Sequence, residues 1–259
     1  VQTAGVRGMK AVILAGGRGT RLAPYTTVFP KPLVPVGDMP ILEIVIRQLI
    51  AAGFTEVTLT LGYLGELIQA FFAGHGTLAD AIDIRYVTED KPTGTAGSLT
   101  LVPDLDTTFL VMNGDVLSTL DYCALVEHHR ATGAALTIAG HRKRVKIDLG
   151  VLRLDDQTDR VCGYIEKPEY HYPVSMGVYV YEPRVLQYIP HHSYFDFPSL
   201  VLKLLEAGEH VACYQNGDIW LDIGRPEDYV EAQKTFEEHR SEFRLWVAEE
   251  KSGNGVVGG

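Results

Sequence analysis

The chain is poor in cysteine: Cys123, Cys162 and Cys213 are the only three in 259 residues. They are far apart, odd in number and match no metal-ligand spacing, so neither a disulfide framework nor a zinc cluster is expected, and they read as small reduced residues. Long apolar runs are missing too. No stretch approaches the roughly 18–20 apolar residues that span a bilayer, and no signal-like apolar core precedes the first strand, so a cytoplasmic protein is expected. No Gly-Lys pair occurs anywhere, which removes the GK[ST] ending of a P-loop. The most local absence is of acids. Residues 1–37 hold Arg7, Lys10, Arg18, Arg21 and Lys31 and no Asp or Glu, a charge of +5 in a chain whose net charge is −10, leaving −15 on the rest. The overall balance argues against nucleic acid or an anionic membrane as partner, whereas the cationic start points to a small anionic ligand.

Hydrophobic residues make up 46% and charged residues 22% of the sequence, an ordinary globular composition of a length that fits one large α/β domain or two small ones. Residues 1–8 read as a leader or added extension and 247–259 as a flexible glycine-rich tail, leaving 9–246 as the folded domain. Lys10–Ala15, Glu56–Leu61, Ile82–Val87 and Phe109–Met112 read as short buried strands. Helical patterns at Ile41–Ala52, Leu64–Phe72 and Tyr122–Thr132 separate them. Beyond residue 134 strand patterns predominate, at Ala134–Ala139, Gly150–Leu154, Val161–Ile165 and Met176–Tyr181, followed by a helix at Phe197–Ala207 and another from Pro226. The alternation predicts a mostly parallel mixed sheet between helical layers, with ligands at the carboxyl ends of its strands. No internal repeat or linker is evident.

LAGGRGTR, residues 14–21, falls at such a strand end. Glycine lacks the Cβ that would keep a ligand away from the backbone, and arginine brings a permanent charge in a planar fork matched to phosphate oxygens. The dinucleotide fingerprint fails here, because counting from Gly17 its third glycine position is Leu22.

The longer string KAVILAGGRGTRLAPYTTVFPKPLVPVGDMPILE (10–43) resembles the signature of the sugar-1-phosphate nucleotidylyltransferases. The resemblance continues through TGTAGSL (93–99), LVMNGDVL (110–117), YIEKP (164–168), SMGVYVYEP (175–183) and WLDIGRPEDY (220–229), nearly the whole chain. It implies a Rossmann-like GT-A nucleotidyltransferase fold, α/β in class, with 9–133 as nucleotide-binding half and 134–246 as sugar-phosphate-binding half. It also implies transfer of a nucleoside monophosphate from an NTP to a sugar-1-phosphate, with release of pyrophosphate. Such an in-line reaction needs no protein nucleophile, only alignment and charge neutralisation.

By this resemblance Leu14, Ala15, Gly16, Gly17, Arg18, Gly19, Thr20, Gly94 and Thr95 contact the nucleotide. Arg21 sits where pyrophosphate leaves, Lys31 faces the α-phosphate and Lys167 holds the acceptor phosphate. Asp115 and Asp222 fall where the family holds Mg²⁺, and carboxylates are the hard oxygen ligands that this ion prefers. Gly150, Glu166, Ser175 and Gly177 fall where relatives contact the sugar. Glu89 falls where relatives read the Watson–Crick edge; a carboxylate only accepts, so it suits the N1–H and N2 amino group of guanine and favours GTP, cytosine being the other base it could serve. The combination of Glu89 with GTAG also resembles the mannose- and heptose-1-phosphate guanylyltransferases. Ser175 stands where many relatives have Asn, which leaves the sugar open between hexose, heptose and cyclitol.

The same family includes thymidylyl-, cytidylyl- and uridylyltransferases and non-catalytic nucleotide-sugar-binding regulators, and a homo-oligomer stays open. A GT-A glycosyltransferase is disfavoured because NGDVL carries one Asp where a D-x-D motif is usual. The pairs His128-His129 and His191-His192 read as surface or packing residues, since neighbours on a helix point about 100° apart. Ser98 lacks a G-x-S-x-G context, so serine hydrolysis is not supported.

Overall fold

A computed structural model describes residues 6–191 and 193–246 of the chain. The expected tail 247–259, the first five residues of the expected leader and His192 lie outside the described residues. Val6, assigned from sequence to the leader, is fully buried and belongs to the core.

Strand β1 (Lys10–Ala15) opens the fold and leads through the glycine loop and three single 3-10 turns to a two-residue ladder, β2 (Pro35–Val36) with β3 (Met39–Pro40). Helix α1 (Ile41–Ala52) follows and is stopped by Gly53, whose left-handed backbone lets its N–H reach the carbonyls of Ile50 and Leu49. Next come β4 (Glu56–Leu61), α2 (Gly65–Ala73), the single turn α3 (Gly76–Ala79) and β5 (Asp83–Thr88). A second single turn, α4 (Gly94–Gly97), precedes β6 (Phe109–Asn113) and the short β7 (Val116–Ser118). Helix α5 (Tyr122–Thr132) starts where the Asp121 carboxylate accepts the Ala124 amide at 3.0 Å. Four strands then run in succession, β8 (Leu136–Lys146), β9 (Val151–Asp155), β10 (Thr158–Ile165) and β11 (Glu169–Tyr181). The chain ends with α6 (Phe197–Glu206), β12 (Val211–Asn216), β13 (Trp220–Asp222) and α7 (Pro226–His239).

Seven strands form one sheet in the order β12-β8-β11-β6-β1-β4-β5. Only β11 runs against its neighbours; the other pairings are parallel. A parallel sheet is covered on both faces, and β1 shows it: Ala11, Val12 and Ile13 are all fully buried, with Val12 in one apolar cluster and its two neighbours in another. The register sets Leu14 beside Asn113 and Ala15 beside Leu61, so the carboxyl ends of β1, β6 and β4 meet at one edge. This is the mixed, mostly parallel Rossmann-like sheet that the sequence predicts.

Two stretches depart from the expected strands. β8 continues to Lys146 and β11 begins at Glu169, so their outer halves leave the sheet as a long arm capped by the β9–β10 hairpin. Arg142, Lys143, Arg144 and Lys146 on this arm are exposed, and without burial no apolar alternation marks the strand. Strand β12 was not foreseen either. It is a sheet edge that pairs with β8 alone, and its residues 211–215 are exposed or only partly buried, so neither a core run nor an alternation marks it.

Candidate active site

The glycine loop is anchored through its carbonyls. Those of Gly16, Gly19 and Thr20 accept the amides of Tyr63, Leu22 and Ala23 at 3.3, 2.9 and 3.3 Å, and Leu22 is fully buried beneath them. Gly19 has φ +60°, and a Cβ there would meet the Lys31 side chain at 3.0 Å, so the loop closes directly onto that lysine. Lys31 lies between Pro30 and Pro32 and is buried. Its Nζ forms an ion pair with Asp115 Oδ2. The sequence reading gave these residues separate tasks; the structure makes them one unit, because the loop folds over β6 and brings the turn at Lys31 against Gly114, whose own amide donates to the Leu14 carbonyl at 2.9 Å.

Leu14, Ala15, Gly16, Gly17, Thr20 and Arg21 line a cavity of about 410 Å³, joined by Lys31, Glu89, Gly94, Thr95 and Asp115. Glu89 is half-buried in its wall. Burial pushes its carboxyl above the usual carboxylate range, opposed by the Thr93 amide, which donates to Oε2 at 3.3 Å. Arg18 is turned elsewhere: its guanidinium lies 5.7 Å from the Tyr63 ring centroid and does not line this cavity.

A second cavity, about 650 Å³, adjoins the first and shares Arg21, Thr95, Asn113 and Asp115 with it. Ser175, Gly177, Trp220 and Asp222 line it together with the apolar Ile138, Met176, Tyr179 and Leu202. Asp222 reaches this place because β13 pairs with β7, which sets it opposite Val116, the residue after Asp115. The side chains of Arg21 and Asp222 have no ion-pair or hydrogen-bond partner among the described residues, although the Asp222 carbonyl accepts the Gly224 amide at 2.8 Å.

GTAG does something the sequence did not reveal. The Ala96 and Gly97 amides donate to the Phe195 carbonyl at 3.0 and 2.9 Å, and the Thr95 amide donates to Asp196 Oδ1 at 3.3 Å. Gly94, at φ +83°, would place a Cβ 2.7 Å from the Phe195 carbonyl oxygen. The turn therefore clamps the 193–197 segment as well as lining the cavity. That segment contributes Tyr194 and Asp196 to the same wall, joined at 2.7 Å. No motif flagged either residue, since a long-range clamp leaves no local periodicity.

Three expected residues stand apart. Gly150, Glu166 and Lys167 line neither cavity. They sit at the base of the β9–β10 hairpin, where Tyr164 Oη donates to Glu166 Oε2 at 2.8 Å and a Cβ on Gly150 would fall 1.9 Å from Tyr164 Oη. Gly150 thus makes room for a tyrosine. Lys167 has φ +45°, a left-handed backbone that costs a residue with a Cβ about 1–2 kcal/mol. Ser175 donates to Tyr179 Oη at 3.2 Å and accepts the Gly177 amide at 3.3 Å. His129 is a packing residue, buried between Thr137 and Glu182 at 2.7 and 3.1 Å.

A mostly parallel sheet with a cationic glycine loop and two strand-end aspartates at one edge makes a site suited to a phosphate-bearing ligand, and the sequence matches the nucleotidyl transferase family over residues 10–239. The chain belongs to that family. It is 34% identical over 229 residues to mannose-1-phosphate guanylyltransferase of Mycobacterium tuberculosis, covering 85% of this chain and 62% of the relative. It is 33% identical over 246 residues to UTP–glucose-1-phosphate uridylyltransferase of Synechocystis sp., covering 86% and 62%. The chain therefore spans about 62% of the length of these two curated relatives. The crystal structure of HddC from Yersinia pseudotuberculosis superposes with a TM-score of 0.67 at 26% identity, over 88% of this chain and 99% of that one. A structure of HddC complexed with GMP-PN superposes with a TM-score of 0.65.

Proposed function

We propose that this chain transfers a nucleoside monophosphate from an NTP, with GTP preferred, to a sugar-1-phosphate. The observation that carries this reading is the junction of the two cavities. One holds the glycine loop and Glu89, the other opens towards Ser175 and Trp220, and they share Arg21 and Asp115. Two anionic substrates, one in each, would meet at that junction. An oxygen of the acceptor phosphate attacks the α-phosphorus in line, the bond from that phosphorus to the bridging oxygen breaks, and pyrophosphate leaves with the electron pair.

Arg21, uncommitted to any partner among the described residues, neutralises the departing pyrophosphate, and the loop amides from Gly17 to Thr20 cradle the phosphates. Lys31, fixed by two prolines, holds its charge beside the α-phosphate while its ion pair orients Asp115. Glu89 accepts from guanine. The donor set also suits Mg²⁺: the Asp222 carboxylate is unengaged and Asp115 has one oxygen free of Lys31. An ion taking two carboxylates and phosphate oxygens from the substrates is the pattern Mg²⁺ prefers, and it would supply Lewis-acid neutralisation of charge there. Lys167, which lines neither cavity, is the residue that the resemblance assigns to the acceptor phosphate.

The names of relatives support guanylyl transfer, and HddC complexed with GMP-PN agrees with it. Uridylyl transfer is the second reading, favoured by the Synechocystis relative at nearly the same identity. Pyrophosphate release is to be measured with four NTPs and a panel of sugar-1-phosphates. Release that requires GTP, Mg²⁺ and an acceptor together supports the proposal; faster turnover of UTP replaces its nucleotide, and no release under any combination removes it.

A further inference from the structure

Ser98 follows the α4 turn and is 1% exposed. Its neighbours Ala96 and Leu99 are fully buried in an apolar cluster, so an alanine would satisfy the packing at this position. Its hydroxyl nevertheless has no hydrogen-bond partner. Among the described residues three buried side-chain polar atoms lack a partner, and Ser98 is the one of those residues that lines the first cavity. Leu14, Thr60 and Glu89 line the same cavity. A buried hydroxyl without a partner is costly to the fold, and the cost is recovered when a bound molecule supplies the missing hydrogen bond.

The charge of the phosphates is already matched by Arg21, Lys31 and the glycine loop, and Glu89, a carboxylate in the same lining, would repel them, so the uncharged base is the better partner for an uncharged hydroxyl. Glu89 accepts and cannot donate while ionised, and a hydroxyl can donate. Together they match a base edge that carries N–H donors next to a carbonyl or ring-nitrogen acceptor, as guanine does. We infer that Ser98 is a specificity-determining residue whose hydroxyl donates to an acceptor atom of the nucleobase while Glu89 accepts from its N–H groups. This rests on the nucleotide reading of the cavity given above and extends it to a residue that lies in the TGTAGSL motif without an assigned role.

The test is Ser98→Ala, with melting temperature taken on the ligand-free protein and equilibrium dissociation constants taken for GTP, ITP, UTP and CTP. The ligand-free melting temperature is expected to hold or rise, because the variant removes an unsatisfied buried group. GTP binding is expected to weaken roughly three- to tenfold, the worth of one neutral hydrogen bond, with a smaller change for the pyrimidine nucleotides. A lowered melting temperature with unaltered GTP affinity would show a hydroxyl that serves the fold, and equal weakening for every nucleotide would show a contact to ribose or phosphate; either overturns the inference. The wild-type measurements separate this from the parent proposal. Should the wild type bind all four nucleotides alike, the guanine preference fails on its own, before the variant is considered.

Discussion

The junction at the carboxyl ends of β1, β4 and β6 and the β9–β10 hairpin both carry residues that the family resemblance assigns to one site, yet they differ in every physical respect. Around the junction the supporting strands are buried on both faces, and Leu110 of β6 is fully enclosed between β1 and β11. On the hairpin, Leu152 and Leu154 of β9 and Val161 and Tyr164 of β10 are half or more exposed. An isolated two-stranded ribbon is marginal in water. The comparison teaches that a preorganised site needs a doubly covered sheet beneath it, and that groups placed on a free arm lack that support.

The largest expected effect tests the rigidity of the first region. Leu110→Ala should lower unfolding free energy by about 2–5 kcal/mol, read from chemical denaturation, whereas Leu152→Ala should fall within about 0.5 kcal/mol; similar losses would mean that the hairpin is packed in solution. Next, Arg21→Ala should raise the barrier by about 2–4 kcal/mol, roughly 30- to 900-fold in kcat/KM. Lys167→Ala should act mainly through KM for the acceptor. Equal losses in kcat from the two variants would place the arm over the junction during catalysis and erase the distinction.

Gly94→Ala should cost about 1–3 kcal/mol of stability, because the new Cβ meets the Phe195 carbonyl at a left-handed backbone. It should also weaken nucleotide binding by releasing Tyr194 and Asp196, as titration would register; an unperturbed variant would show that the clamp is dispensable. The smallest effect concerns pH. On the proposed reading Glu89 accepts from guanine as the carboxylate, and burial holds its pKa above the ordinary 4.5. The dissociation constant for GTP should therefore rise as pH falls through that elevated value, earlier than for an exposed glutamate, and Glu89→Gln should flatten the profile. A profile that stays flat in the parent protein removes Glu89 from base recognition.

Much of the fold was readable because buried elements announce themselves: the strands Lys10–Ala15 and Glu56–Leu61 and the helices Ile41–Ala52 and Tyr122–Thr132 fall as the apolar patterns predict, to the residue. The outer halves of β8 and β11 were not readable, since strands without a buried face carry no alternation. Within the site, the glycine loop and the two aspartates stood out by residue type and position. The pairing of Lys31 with Asp115, the Phe195 clamp and the place of Ser98 did not, because each joins segments between 84 and 102 residues apart or depends on which side of a turn faces the cavity.

Local chemistry along the chain thus decided the family, the order of the elements and the charge that gathers around the first loop, all of which are written in short-range pattern. Tertiary structure alone decided which of the marked residues meet. Convergence depends on the pairing of β13 with β7 and of β6 with β1, and such long-range register is set by how the whole core closes rather than by any segment on its own.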